Sequence, residues 1–190
     1  MALACLAGQG QLKRIRTIHT NKRVKSPLNN DAKSINIGND GIEYKQFNVL
    51  DGAGVAFARQ AGLKLAVISG RYSPATTARM KELGIDDCFQ GELDKMRPYN
   101  EIIKKYSLDN KEVGFIGDDL IDVSVMEKVG LSIGVKDAHP YITEIAHFST
   151  AKSGGEGAFR EAIEMILKAK GIYDKTIKSI RDRLESIDDK

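Results

Sequence analysis

Tryptophan is absent from this chain, histidine occurs three times, and the two cysteines, Cys5 and Cys88, lie far apart in sequence. Two isolated thiols give neither a disulfide framework nor a metal-ligand spacing, so a reducing compartment is expected. No apolar run approaches the ~18 residues of a membrane span. Acids are missing from one region only. Residues 1–30 hold six Lys/Arg (Lys13, Arg14, Arg16, Lys22, Arg23 and Lys25) and no Asp or Glu, although the chain has 26 acids against 29 bases. The formal net charge of +3 therefore belongs to a basic arm, and the remaining body is mildly acidic. Six bases without interleaved aromatics or a groove-reading motif make weak evidence for nucleic acid. The arm is read as a disordered or misassigned N-terminus ahead of a transit-like leader.

From about Ser34 the pattern becomes regular. "SINIGNDGIEYKQFNV" reads as two strands about Asn39-Asp40-Gly41, a hairpin signal. "LKLAVISG" and "EVGFIG" are apolar runs without alternation, as expected of strands buried on both faces. Between and after them "DGAGVAFARQAG", "SPATTARMKELG", "DKMRPYNEIIKKYS", "DLIDVSVMEKVG" and "EGAFREAIEMILKAKG" read as helices, and "CFQG", "LSIGVK" and "HFST" as further strands. Ser73 is a candidate N-cap with Pro74 in the first turn. Strand–helix alternation predicts a parallel sheet covered on both faces, with ligands bound outside the carboxyl ends of its strands. The last residues carry an apolar stripe, Ile177, Ile180, Leu184 and Ile187, suited equally to a subunit contact or to packing on the chain's own domain.

Chemistry gathers at the expected edge. Ser69, Gly70 and Arg71 offer a hydroxyl, backbone amides and a guanidinium to an oxyanion. Lys95 adds a second cation. Asp118, just after Gly117, could hold Mg²⁺, which takes one or two carboxylates with phosphate oxygens and water. Together these are the electrostatic parts of phosphoryl transfer. For Asp119 the plainer reading is a helix cap. His19, His139, His147 and Cys88 are read as structural.

The ordered stretches "GNDGIEYKQFNVLDGAG", "VISGR", "KELGI", "FQGELDK", "FIGDDLIDVSVMEKVGLSIGV", "DAHPYI" and "GGEGAFRE" span about three-quarters of the chain, from about Lys33 to Gly171. They resemble the haloacid dehalogenase superfamily, and within it the cap-less phosphatases of 3-deoxy-D-manno-octulosonate 8-phosphate (KDO 8-phosphate). The resemblance implies a Rossmann-like α/β fold: a parallel sheet with helices on both faces and a β-hairpin flap in place of a cap domain. It implies an arm over residues 1–33, a phosphatase domain over 34–171 and a C-terminal helix over 172–190. By the same resemblance Ser69 and Lys95 are catalytic, and Asn48, Val49, Leu50, Asp51, Gly52, Arg71 and Arg79 contact substrate. Asp118 and Asp122 belong to the metal site, with Asp122 steadying the loop. The implied cofactor is Mg²⁺, and the substrate is a sugar-acid phosphate feeding lipopolysaccharide precursor synthesis. The implied enzyme is a cytoplasmic tetramer without a nucleic-acid or membrane partner.

Two features depart from the pattern. Leu50 stands where the family usually has arginine, which leaves open a nine-carbon sialic-type acid 9-phosphate as substrate. More consequentially, family members carry an Asp-x-Asp at the tip of the first strand. Its first carboxylate attacks phosphorus, and its second serves as acid and base. Counting back from the hairpin, these positions fall on Lys25 and Pro27. A misassigned N-terminal sequence is the favoured explanation. The others are an inactive sugar-phosphate-binding paralogue, or a carboxylate supplied by Asp31, Asp51 or another subunit.

Overall fold

The computed structural model describes residues 2–6 and 36–188. A six-stranded sheet forms the centre, in the spatial order β5-β4-β1-β6-β7-β8. Its strands are β1 (Ala2–Leu6), β4 (Lys64–Ser69), β5 (Asp87–Gln90), β6 (Val113–Gly117), β7 (Leu131–Gly134) and β8 (Phe148–Ser149). The short strands β2 (Asn36–Ile37) and β3 (Glu43–Tyr44) pair by themselves as an antiparallel hairpin. Its turn closes through Gly38 N–H to the Ile42 carbonyl, with the Asp40 carboxylate accepting from Ile42 N–H. Gly41 sits there at φ +75°, a conformation that favours glycine.

Buried strands explain the unalternating apolar runs. On β4, Leu65 and Val67 enter the core on one face while Ala66 and Ile68 enter the core on the other. On β6, Ile116 joins the first core, and Val113 and Phe115 join the second. Period-two geometry on a sheet covered twice demands apolar residues at every position. The first core is closed by α1 (Val49–Gln60), α6 (Ala158–Ala169) and the start of α7 (Tyr173–Asp188). The second is closed by α3 (Met96–Tyr106), α4 (Val123–Met126) and α5 (Pro140–Ile145). The remaining helix, α2 (Pro74–Glu82), follows β4 and buries Met80 in the first core.

Three local expectations need correction. Ser73 does occupy the N-cap position of α2, but its hydroxyl makes no capping bond, and its N–H instead donates to Gln90 Oε1 at 2.9 Å. "DLIDVSVMEKVG" is a single 3-10 turn, Leu120–Asp122, followed by the four-residue α4. A reciprocal capping box between Asp119 and Asp122 tightens that first turn. The stripe on α7 is divided: Ile177 and Ile180 are partly buried, whereas Leu184 is 58% exposed.

The centre of the sheet departs furthest from the sequence reading. Residues 2–6, part of the stretch read as a basic arm, form β1 between β4 and β6 and run antiparallel to both. All the other neighbouring pairs in this sheet are parallel. "ALACL" is the one uncharged apolar run in the first thirty residues, the composition that a doubly covered position requires. Its direction has a consequence at the sheet edge. Ala2 lies opposite Ile68, near the carboxyl end of β4, while Leu6 lies opposite Lys64 at the other end. The carboxyl end of the central strand therefore points away from the edge where β4 and β6 finish. Lys25, Pro27 and Asp31 lie outside the described residues. Among the described residues no helix is long and apolar enough to cross a membrane.

Candidate active site

A cleft of about 600 Å³ opens at the carboxyl ends of β4 and β6. Ser69, Arg71, Arg79, Lys95 and Asp118 all line it, together with Asn48, Asp51 and Gly52 from the start of α1. Residues read separately along more than seventy positions thus share one wall.

Ser69 ends β4 and is 5% exposed. Its hydroxyl donates to the Arg71 carbonyl at 2.8 Å and accepts from Arg71 N–H at 3.4 Å. Lys95, at the N-cap position of α3, is 1% exposed, an unusual location for an ammonium. Its Nζ lies 2.5 Å from Oδ1 of Asp122, which is itself fully buried. The second Asp122 oxygen accepts from the N–H groups of Asp118 (3.0 Å) and Asp119 (3.2 Å). Asp122 also packs beneath Gly117, where an added Cβ would come within 2.8 Å of the Asp122 Cβ. The glycine before the acids therefore makes room for the carboxylate that organises them.

These contacts show what Asp122 meets in the chain itself. Its oxygens are committed to Lys95 and the loop amides, and it does not line the cleft. Asp122 fixes the position of Lys95 and, through the loop N–H groups, the start of the turn that carries Asp118. Asp119 caps the 3-10 turn, accepting from Leu120 N–H at 2.8 Å, while still lining the cleft. The Asp118 carbonyl accepts from His139 N–H, and His139 caps α5, in keeping with its structural reading.

The segment Asn48–Gly52 is helical, and this changes which of its residues reach the cleft. Asn48 caps α1 by accepting from Leu50 N–H at 2.8 Å. Positions 48, 51, 52 and 55 share one helical face and line the cleft. Val49 (81% exposed) and Leu50 (45% exposed) are not among the residues that line the cleft. Gly52 lets Arg79 approach, because a Cβ there would stand 2.7 Å from Arg79 Nη2. Asp51 receives Gly157 N–H (3.3 Å) and Arg160 N–H (3.2 Å), which tethers the start of α6 to α1. Burial pushes its carboxyl upward, opposed by those backbone donors. Each Asp51 oxygen thus accepts one backbone N–H while the residue lines the cleft. Gly157 itself adopts φ +96°, which favours glycine at this junction.

Sequence reading missed Lys45, which lines the cleft and donates to Thr76 Oγ1 at 3.1 Å. Alternation along "IEYKQ" could have found it. Glu43 and Lys45 fall on one face of the strand, while Tyr44 on the other is 56% exposed. Glu43 reaches Arg71, its Oε2 accepting from Nη2 (2.7 Å) and Nε (3.2 Å). That guanidinium holds the Glu43 carboxyl below its usual range.

The geometry agrees with independent similarity. Residues 87–161 match the family model described as haloacid dehalogenase-like hydrolase. The curated 3-deoxy-D-manno-octulosonate 8-phosphate phosphatase of Escherichia coli (strain K12) is 40% identical over 141 residues, covering 74% of this chain and 75% of its own length. The chain belongs to this phosphatase family of haloacid dehalogenase-like hydrolases. Among solved structures, the family member from Yersinia pestis superposes with a TM-score of 0.73 at 40% identity, covering 74% of this chain and 76% of its own. The Moraxella catarrhalis enzyme, solved with a magnesium ion, a phosphate ion and KDO, gives a TM-score of 0.74 at 36% identity over 77% and 84% of the two chains.

Proposed function

We propose that this cleft binds a sugar-acid phosphate, KDO 8-phosphate, with Mg²⁺, and is built to hydrolyse it to KDO and phosphate. The observation that carries the reading is the convergence of Ser69, Arg71, Arg79, Lys95 and Asp118 on one wall. Phosphoryl transfer asks mainly for such positioning and charge. Arg71 and Arg79 face the substrate's anionic groups. The Ser69 hydroxyl turns from the Arg71 carbonyl to a phosphoryl oxygen. Lys95, fixed by Asp122, neutralises the phosphoryl group from below.

Among the described residues no cluster of three metal-ligating side chains exists. Asp118 nevertheless fits the usual Mg²⁺ set, which needs one or two carboxylates when phosphate oxygens and water complete the shell. Asp118 would hold the ion, which would offset charge on the phosphoryl oxygens.

A second reading is binding with turnover impaired or lost. It is favoured by Lys25 and Pro27 at the positions of the two family carboxylates. Phosphate release from KDO 8-phosphate with Mg²⁺, beside an EDTA control and a nine-carbon acid 9-phosphate, tests both. EDTA-sensitive release supports the hydrolase, and binding without release supports the cradle. Absence of both refutes the assignment. A cytoplasmic homotetramer belongs to the same proposal. It is supported by apolar side chains exposed on the hairpin (Ile37 at 64%, Ile42 at 54% and Tyr44 at 56%), and light scattering after gel filtration would test it.

A further inference from the structure

We propose that Gln90 is a positioning residue for the anion-binding loop Ser69–Ser73, acting through its side-chain amide. The inference rests on the proposed function for the ligand that the loop meets, whereas the clamp itself rests on geometry alone. Gln90 ends β5, an edge strand of the sheet, and pairs with Ser69 at the end of β4. Its Oε1 accepts from Ser73 N–H at 2.9 Å, and its Nε2 donates to Thr77 Oγ1 at 2.8 Å. A backbone N–H can only donate, so the amide is fixed with its oxygen toward Ser73. Thr77 Oγ1 in turn donates to the Ser73 carbonyl at 3.4 Å, so one network meets both polar groups of the Ser73 backbone. Ser73 is fully buried, and without Gln90 its N–H would lose its acceptor with no solvent to replace it.

Gln90 holds one end of a short loop. At the other end the Ser69 carbonyl accepts from Glu92 N–H at 3.0 Å. Only Gly70, Arg71 and Tyr72 lie between these two ties. Glu43 meets the Arg71 guanidinium, while Gln90 and Glu92 hold the backbone beneath it. Both backbone ties come from one segment, residues 90–95, which turns at Gly91 (φ +77°) and ends on Lys95. The Glu92 carboxylate is paired with Arg97, and Lys95 is paired with Asp122 at 2.5 Å. The segment therefore sets the Ser69–Arg71 loop and the Lys95 ammonium in one frame before any ligand arrives. A hydroxyl and two cations that must meet one anionic ligand gain from such prior alignment, because small displacements are costly.

The test uses the full chain, KDO 8-phosphate with Mg²⁺ in titration calorimetry, and hydrogen exchange at the Ser73 amide read by NMR. Gln90→Leu should raise Ser73 exchange and weaken binding about three- to tenfold, the worth of one hydrogen bond expressed in the ligand. Thr77→Val frees the Gln90 amide by a change at an exposed position and should give the same pattern at smaller size, whereas Thr77→Ser should behave as the parent. A merely structural role would not depend on which ligand contact is present. In an Arg71→Gln background the Gln90→Leu penalty on binding should therefore largely vanish, while in Asp118→Asn it should persist in full. The proposal is overturned if Gln90→Leu leaves Ser73 exchange unchanged, or if its penalty is equal in the two backgrounds. If Gln90→Leu does not fold, Thr77→Val decides by the same two readings. If the folded parent binds no KDO 8-phosphate, the proposed function falls. Ser73 exchange in Gln90→Leu then decides the clamp alone, so the two failures are distinguishable.

Discussion

Replacing Asp122 with Asn should destabilise the protein far more than it affects any metal. The side chain keeps its shape, but its environment is built for a carboxylate. Lys95 Nζ approaches one oxygen at 2.5 Å, and two loop N–H groups approach the other at 3.0 and 3.2 Å. Asn offers one acceptor oxygen where two are in use. Either its NH₂ faces the ammonium or it faces the loop amides, and the site is mismatched in both orientations. Lys95 is 1% exposed and gains nothing from solvent in exchange. Breaking a buried ion pair by removing one partner costs about 3–5 kcal/mol. With a urea m-value of about 2 kcal/mol/M, the unfolding midpoint should fall by about 2 M. Lys95→Met removes the stranded cation, so the double variant should recover part of the loss and show strong non-additivity. A midpoint for Asp122→Asn within a few tenths of a molar of the parent would refute this reasoning. Loss of Mg²⁺ affinity without loss of stability would mean that Asp122 acts at the metal rather than on Lys95.

Other consequences follow from the same geometry. Gly54→Ala should destabilise by about 1–3 kcal/mol through overpacking, since its Cβ would stand 2.9 Å from the Arg160 Cα on α6. Helix propensity alone predicts the opposite sign, so a stabilised variant in thermal melts would contradict the close α1–α6 approach. Asn110→Ala strands the Tyr99 hydroxyl, which donates to Asn110 Oδ1 at 2.7 Å within a core that pushes the phenol up to about 12. A loss of about 1–3 kcal/mol in urea unfolding is expected, and no loss would mean that water reaches that hydroxyl. The Glu43 carboxyl, held below its ordinary 4.5 chiefly by Arg71, stabilises the hairpin fully above about pH 4.5. That contribution fades as pH falls through the lowered folded value. A carboxyl-carbon NMR titration should show the Glu43 midpoint rising in Arg71→Gln, and an unmoved midpoint would deny the pairing.

How much of this was legible in sequence varies by element. The doubly buried strands β4 and β6 were readable because "LAVIS" and "VGFIG" leave no polar face, and the edge residues Ser69, Arg71, Lys95 and Asp118 followed from where those strands end. The role of Asp122 was not legible. A carboxylate five residues past a strand looks the same whatever it meets, and its pairing with Lys95, 27 residues away, leaves no local signal. That Val49 and Leu50 do not line the cleft was not legible either, because α1 begins at Val49 with Asn48 as its cap, and a helical turn sends neighbours of a lining residue outward. Lys45 went unnoticed because its partner Thr76 is thirty-one residues away. The reversed central strand had no local signal at all. "ALACL" pairs with β4 and β6 across long separations, and strand direction is a property of the sheet rather than of five apolar residues.

The central claim is that the cleft binds KDO 8-phosphate through Mg²⁺ and its cationic wall. Titration calorimetry of the full chain with KDO 8-phosphate tests it most directly, with and without Mg²⁺, beside Asp118→Asn and Arg79→Gln. The account predicts saturable binding with Mg²⁺ that weakens on chelation and in both variants. Binding that ignores Mg²⁺, Asp118 and Arg79 alike, or no binding by a folded protein, would contradict it.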